Sequence, residues 1–200
     1  WREDKGDAPL KETLAAAMIA ASGWDGTTPL YDPCCGSGTI AIEAAQIACN
    51  IAPGSLRRFG FEKLLPFQPH VWSAIQDQAA EAEHEPQTQI FGSDVAFRMV
   101  DFATRNAERA GVTGVVEFRG GDALQRMPPA PSGVMLLNPP YGERIEVAGV
   151  AGRREAAQTD DGGSDFFPQL ATHWKRNYAG WTGWILTPDL KLPGKMRLKE

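Results

Sequence analysis

The chain alternates short apolar runs with longer segments in which apolar residues recur at the spacing of a helix face. The apolar runs predict strands and the periodic segments predict helices. The predicted strands are 29–31, 89–91, 115–118, 134–137 and 183–186, and the predicted helices are 8–23, 39–48, 71–85, 95–111 and 166–178. Because strands that alternate with helices are typical of βαβ units, we predict an α/β fold with a mostly parallel sheet.

Residues 50–86 interrupt this alternation between the first and second predicted strands. The stretch 50–70 is rich in prolines and aromatic residues and predicts a loop, and an amphipathic helix follows it. A minimal βαβ unit does not need so long a connection. We therefore predict one domain over residues 1–200, with an insertion at about 50–86.

Length and composition fit that single domain. The 200 residues are 42% hydrophobic, which is enough for a sizeable core. No apolar run approaches the roughly 20 residues of a membrane span, and the charged opening WREDKGD is unlike a secretory signal. We therefore expect a cytoplasmic protein with no membrane partner. Because the sequence opens on Trp1 rather than Met, we expect a piece of a longer chain.

The cysteines and histidines predict neither a disulfide framework nor a metal site. Cys34 and Cys35 are adjacent, Cys49 stands apart, and no fourth ligand completes the spacing of a zinc site. The histidines are scattered along the chain at positions 70, 84 and 173. We expect reduced thiols and no bound metal.

The formal charge of −5 does not indicate nucleic-acid binding, but the charge is unevenly distributed. Residues 171–200 carry six basic and two acidic residues, a net of +4, which leaves −9 for the rest. Two interpretations of this segment stay open: a basic face that binds phosphates, or an ordinary solvated chain end. Other candidate phosphate contacts, each equally a candidate for a solvated surface residue, are Arg57, Arg58, Arg153 and Arg154.

Polar residues follow the predicted strands at their carboxyl ends, and parallel sheets bind ligands at this edge. The first strand runs into DPCCGSG, in which Asp32 closes the strand and Gly36 and Gly38 permit a tight turn into a helix. This turn lacks the lysine of a phosphate loop, and Ala41 replaces the third glycine of a dinucleotide fingerprint. The next two strands end in GSD and GGD, so Asp94 and Asp122 can accept hydrogen bonds from a ribose diol and an exocyclic amine.

The fourth predicted strand ends in NPPY. An amino group conjugated to an aromatic ring is a poor nucleophile, because its lone pair is delocalised. The Asn138 side-chain carbonyl and the Pro139 backbone carbonyl can accept its two N–H groups and concentrate electron density on the nitrogen. Pro139 and Pro140 fix that geometry in advance, and Tyr141 offers a flat face on which a base can stack.

DPCCGSG, GSD, GGD and NPPYGER, in this order, resemble the Rossmann-like methyltransferases that use S-adenosyl-L-methionine and act on exocyclic amino groups. The resemblance covers nearly the whole chain. It is closest to the bacterial large-subunit ribosomal RNA guanine-N2-methyltransferases, which usually carry an RNA-binding THUMP domain upstream. Further matching stretches are WRED…APLKETLAAAM, IAPGSLRRFGFEKL and GSDVAFRMVDFATRNAERAGV.

The resemblance implies a role for each of these positions. The methionine part of the cofactor is held by Asp32, Cys34, Gly36, Ser37, Gly38 and Thr39, with Pro9 and Leu10 nearby and Asn138 at the reacting end. Asp94 binds the ribose and Asp122 reads the adenine amine. Asn138, Pro139, Pro140 and Tyr141 receive the target guanine in large-subunit ribosomal RNA. The methyl group passes directly to its 2-amino nitrogen, without a metal.

The chain also departs from that family. It carries two cysteines where relatives often have other small residues, it has no RNA-binding domain upstream, and it ends soon after ILTPD, where the family sheet continues into its last strands. Two alternatives stay open. An adenine-N6 DNA methyltransferase would use NPPY in the same way, although no target-recognition region of suitable size is present. A non-catalytic cofactor-binding or RNA-binding module would be expected to have lost NPPY or an aspartate.

Overall fold

A five-stranded parallel sheet forms the centre of the molecule in a computed structural model that describes residues 1–6, 9–139 and 166–198. The strands are β1 Leu30–Asp32, β2 Ile90–Asp94, β3 Val116–Gly120, β4 Gly133–Leu137 and β5 Trp181–Ile185. Their order is β3-β2-β1-β4-β5, and every neighbouring pair is parallel. The predicted Rossmann-like α/β fold is therefore confirmed, and all five predicted strands are present.

Helices flank the sheet. They are α1 Glu12–Ser22, α2 Thr39–Ala48, α3 Pro69–Glu81, α4 Phe97–Ala110, α5 Phe166–Asn177 and α6 Leu192–Met196, with a 3₁₀ turn at Gly60–Lys63. All the α-helices except α3 contribute to the core on one of the two faces of the sheet. The sequence did not predict α6, because its five residues contain a proline and a glycine and read as a loop. Among the residues described, no helix is long and apolar enough to cross a bilayer.

Successive residues of β1 point to opposite faces of the sheet, and this alternation divides the core in two. Leu30 packs in a cluster with side chains of α1, α2 and α4, whereas Tyr31 packs in a second cluster with α5 and α6. Each fully buried Leu or Ile contributes about 1.5–3 kcal/mol to folding. α2 is buried on most sides, as its apolar sequence predicts, so the turn that precedes it is held firmly.

The segment between α2 and β2 carries an apolar groove on the surface. α3 is amphipathic, as predicted, but none of its residues is buried. Its Val71, Trp72 and Ile75 line a cavity of about 390 Å³ together with Phe61 and Leu65. Val71 and Ile75 are 44% and 49% exposed, and Leu65 just before the helix is 97% exposed, so the apolar side of α3 faces solvent instead of joining the core.

Candidate cofactor and amine site at the carboxyl edge

The polar strand ends meet at one edge, because all five strands point the same way. Asp32 pairs in register with Gly92, two residues before Asp94, and Asp94 pairs with Gly120, two residues before Asp122. Asn138 follows β4 directly beside β1. The structure thus brings the predicted carboxylates and the predicted amide to the same side of the sheet.

The turn after β1 is shaped by two glycines in the left-handed region. Gly36 has φ +51° and Gly38 has φ +87°. A Cβ on Gly38 would lie 2.9 Å from the Ala103 Cβ and from the Phe118 ring, whereas a Cβ on Gly36 would meet nothing within 4 Å. Gly38 is therefore required for close packing against α4 and β3, and Gly36 leaves open space on the turn.

The glycine turn is tied to the end of β2. The Asp94 Oδ2 accepts the Gly36 N–H at 2.9 Å, and its Oδ1 accepts the Ala96 N–H at 2.9 Å. The Cys35 N–H donates to the Ser93 carbonyl at 2.9 Å. Each Asp94 oxygen keeps lone-pair capacity for a further donor, because a carboxylate oxygen accepts about two hydrogen bonds.

Asp32 is the most deeply buried carboxyl group at this edge, at 1% exposure. Its Oδ1 accepts the Cys34 N–H at 3.1 Å. Burial raises the pKa of Asp32 to about 8; the Cys34 hydrogen bond opposes the rise and the charge of Asp94 adds to it. Burial also raises the pKa of Asp94. A cation placed here would stabilise both ionised carboxylates, so the site favours a positively charged ligand.

Asp122 lies half-buried in the turn after β3. Its Oδ1 accepts the Leu124 N–H at 2.9 Å, and the neighbouring Gly121 N–H donates to the Asp94 carbonyl at 3.0 Å. The second Asp122 oxygen is available for a ligand. The loops after β2 and β3 are therefore joined, which sets Asp122 and Asp94 side by side.

The amine-binding end of the predicted site is described in part. Asn138 is half-buried and Pro139 is buried at the end of β4. Pro140 and Tyr141 lie outside the described residues, as do Arg153 and Arg154. The roles predicted for these four residues stay predictions.

The remaining predicted cofactor residues lie in the turn and before α1. Ser37 and Thr39 are buried at the start of α2, and Cys34 is half-buried beside Asp32. Pro9 and Leu10 are half-buried; Leu10 packs on the core cluster of α1 and α2. Burial raises the pKa of the Cys34 thiol well above its usual range, which keeps it protonated and unreactive at neutral pH.

Three residues at this edge were missed by sequence reasoning. Val95 and Phe97 follow Asp94 and are 45% and 81% exposed. The Phe97 ring lies over Gly120, since a Cβ there would be 2.6 Å from it. Asn106 of α4 is fully buried and reaches the glycine turn. Apolar residues directly after a polar strand end were the available signal for the first two.

Outside this edge, the histidines and the candidate phosphate contacts that the structure describes are dispersed. The part of the chain that the structure describes contains no group of three or more His, Cys, Asp and Glu residues arranged to hold a metal ion. Arg57 and Arg58 are exposed between α2 and α3, and the Arg57 guanidinium stacks 4.5 Å above the Phe59 ring. His173 lies on α5, with its Nε2 2.7 Å from the Arg126 carbonyl.

Comparison with known proteins places these features in a family. Residues 1–196 match the family described as RMKL-like, methyltransferase domain. The ribosomal RNA large subunit methyltransferase K/L of Shewanella pealeana is 41% identical over 206 residues, which cover 100% of this chain and 27% of that relative. The chain thus spans about a quarter of the length of such curated relatives.

Two solved structures share the fold over almost the whole chain. The SMU.472 protein, solved in complex with SAH, has a TM-score of 0.84 at 33% identity and is matched over 99% of this chain and 49% of its own. A protein from Listeria monocytogenes described as a predicted N6-adenine-specific DNA methylase has a TM-score of 0.81 at 32% identity, over 98% of this chain and 48% of its own.

Proposed function

The chain belongs to the RMKL-like methyltransferase domain family, and we propose that it transfers a methyl group from S-adenosyl-L-methionine to the exocyclic 2-amino group of a guanine in large-subunit ribosomal RNA. The observation that carries the proposal is the meeting of Asp32, Asp94, Asp122 and Asn138 at one edge of the sheet. RNA is then the macromolecular partner.

The residues at the edge fit S-adenosyl-L-methionine. The space over Gly36 at the start of α2 suits its carboxylate, because helix N-termini favour anions. Buried Asp32 and half-buried Asp94 suit its positive charges. The spare acceptors of Asp94 suit a ribose diol, and the free oxygen of Asp122 suits the adenine amine. Phe97 and Val95 offer apolar surface to the adenine ring.

S-adenosyl-L-methionine supplies a methyl group made electrophilic by its sulfonium. The chain's own task is then to make the amine a better nucleophile and to align it. The Asn138 amide oxygen and the Pro139 carbonyl accept the two amine N–H groups, which localises the lone pair on nitrogen. Because proline fixes the backbone after Asn138, these acceptors are preorganised. Tyr141 stacks on the base in this proposal, and solvent takes up the released proton.

The competing substrate is the 6-amino group of adenine in DNA. The 32% identity to the Listeria protein favours this alternative, because its description names that reaction. The higher identity to the ribosomal RNA methyltransferase of Shewanella pealeana, 41% over the whole chain, favours guanine in RNA. A cytoplasmic location follows from the proposed RNA substrate.

The experiment that tests the proposal is methyl transfer from labelled S-adenosyl-L-methionine. Unmodified ribosomal RNA, transfer RNA and DNA serve as separate substrates, and the labelled nucleoside is identified after digestion. The expected product is N2-methylguanosine from ribosomal RNA. Labelled methyladenine from DNA would overturn the substrate while leaving the amine chemistry, and the absence of any product with a protein that binds SAH would contradict the proposed enzymatic function.

A further inference from the structure

The N-terminal strap, residues 1–6, runs along α4 toward the candidate site. The Trp1 carbonyl accepts the Arg109 Nε–H at 2.9 Å, near the carboxyl end of α4. Gly6 lies at the Met99 sulfur, near the amino end of α4. Because α4 begins just after β2 ends, the strap leads from the far end of that helix to the edge that carries the glycine turn.

Asn106 joins this strap to the glycine turn. Its side-chain N–H groups donate to the Asp4 carbonyl at 2.8 Å and to the Ser37 carbonyl at 3.0 Å. Its Oδ1 accepts the Glu3 N–H at 3.2 Å and the Asp4 N–H at 3.3 Å. The Arg109 Nη2 also donates to this oxygen. Two carbonyls on one side and three N–H groups on the other fix the orientation of the amide, and Asn106 is 0% exposed.

Two arginines of α4 hold the strap on Asn106. The Asp4 carboxylate accepts from the Arg105 Nη2 at 3.0 Å and from the Arg109 Nη2 at 2.6 Å. Arg105 adds a second bond through its Nε at 3.2 Å. Forked ion pairs of this kind are the stronger ones, so the strap is held in place by more than an exposed pair would provide.

We propose that Asn106 and the strap position the turn that binds the methyl donor. Asp4 holds the strap against α4 through its ion pairs with Arg105 and Arg109. The Ser37–Gly38 peptide is fixed at both ends, since its carbonyl accepts from Asn106 and its N–H donates to the Cys35 carbonyl at 2.8 Å. That peptide belongs to the turn proposed to hold the methionine part of the cofactor. Releasing the strap removes three of the five hydrogen bonds of the Asn106 side chain. The hold of Asn106 on the Ser37 carbonyl then weakens and the turn loosens, which weakens cofactor binding without touching the amine site. The inference rests on the proposed cofactor.

The decisive variant is Asp4→Ala, because Asn106→Ala would open a buried cavity and can prevent folding. Asp4→Asn keeps the size of the side chain while removing its charge. The matched control is Asp101→Asn, which removes the exposed ion pair that the same Arg105 makes within α4 at 2.9 Å and leaves the strap alone. Affinity for SAH is measured by calorimetry, and hydrogen exchange is followed in residues 36–39.

The dissociation constant for SAH is expected to rise roughly tenfold in Asp4→Ala, less in Asp4→Asn, and not in Asp101→Asn. Exchange in the turn is expected to accelerate in the same order. At saturating methyl donor, kcat stays unchanged, so the loss appears in KM for the donor alone. Unchanged SAH affinity in a folded Asp4→Ala protein whose strap exchanges freely would overturn this inference and leave the proposed function standing. Failure of the unaltered protein to bind SAH would overturn both.

Discussion

The Asp94 carboxylate holds the Gly36 N–H at 2.9 Å, so the residue proposed to bind the ribose also shapes the turn proposed to bind the methionine part. These two residues are 58 positions apart in sequence and belong to different strand ends. One side chain therefore couples two parts of the cofactor site, and its replacement has two effects that must be separated.

Asp94→Ala is expected to weaken SAH binding by about 10- to 100-fold, because it removes a charged acceptor from the ligand and from two backbone N–H groups. A 2′-deoxy analogue of SAH separates these effects. If Asp94 binds the ribose, the substitution costs the analogue less than it costs SAH. Equal losses for the two ligands, measured by calorimetry, would leave only the turn-shaping role.

The affinity for SAH is expected to rise with pH toward about 8. The pKa of Asp32 is raised to about 8 by burial in the cofactor-free protein, so the ligand's ammonium group must displace a proton at lower pH. Titrations in buffers of different ionisation enthalpy would detect proton release on binding. An affinity that does not change between pH 6 and pH 8, without proton release, would contradict a role for Asp32 as the partner of that cation.

Asp32→Asn is expected to stabilise the cofactor-free protein increasingly as pH rises. A carboxyl with a raised folded-state pKa favours folding fully below its usual pKa and loses that contribution as pH rises through about 8. Asp32→Asn has no carboxyl to ionise and therefore lacks this loss. The difference in unfolding free energy between the variant and the unaltered protein grows by at most about 1.4 kcal/mol per pH unit between the usual carboxyl pKa and about 8. Urea denaturation at several pH values measures it, and an advantage that stays constant with pH would refute the assignment.

The two turn glycines are expected to respond differently to alanine. Gly36→Ala costs about 1–2 kcal/mol for a left-handed residue, because its Cβ enters open space. Gly38→Ala bears that cost and in addition pushes its Cβ against Ala103 and Phe118, which costs about 1–3 kcal/mol more. Chemical denaturation of both variants gives the comparison, and equal losses would mean that the packing around Gly38 yields without cost.

Asn138→Ala is expected to lower kcat by about 10²–10³ while SAH affinity stays within a few-fold, because the proposed acceptor acts on the amine. Asn138→Asp keeps acceptor oxygens in place and is expected to retain more activity than Asn138→Ala. Single-turnover methyl transfer at saturating donor measures the difference. A fully active Asn138→Ala protein would refute the proposed activation of the amine.

The local pattern of apolar and polar residues was sufficient to predict the sheet, but not how far each strand extends. The apolar run predicted a strand at 89–91, whereas β2 continues through Gly92 and Ser93 to Asp94. Pairing with β3 on one side carries the strand past its apolar run, since Gly92 pairs with Phe118 and Asp94 with Gly120. Such pairing is a property of the neighbouring strand and leaves no mark in the local sequence.

The strand-end aspartates were predictable because topology alone brings them to one edge, and their roles toward a ligand remain predictions. Asn106 and the strap were not predictable in the same way. Asn106 lies within a helical segment and reads as an ordinary polar residue, and its partners Asp4 and Ser37 are 102 and 69 positions away. Only the packed structure places a buried amide between two such distant carbonyls.

The distance between the strap and its partners also sets an order of events during synthesis. Asp4 leaves the ribosome about a hundred residues before Arg105, which it pairs with across 101 positions. At roughly 5–20 residues per second, the strap waits on the order of 5–20 seconds for α4 to be made. The glycine turn, although translated early, therefore acquires its final support only after α4 has emerged, so the nascent chain becomes competent to hold a ligand late in its synthesis.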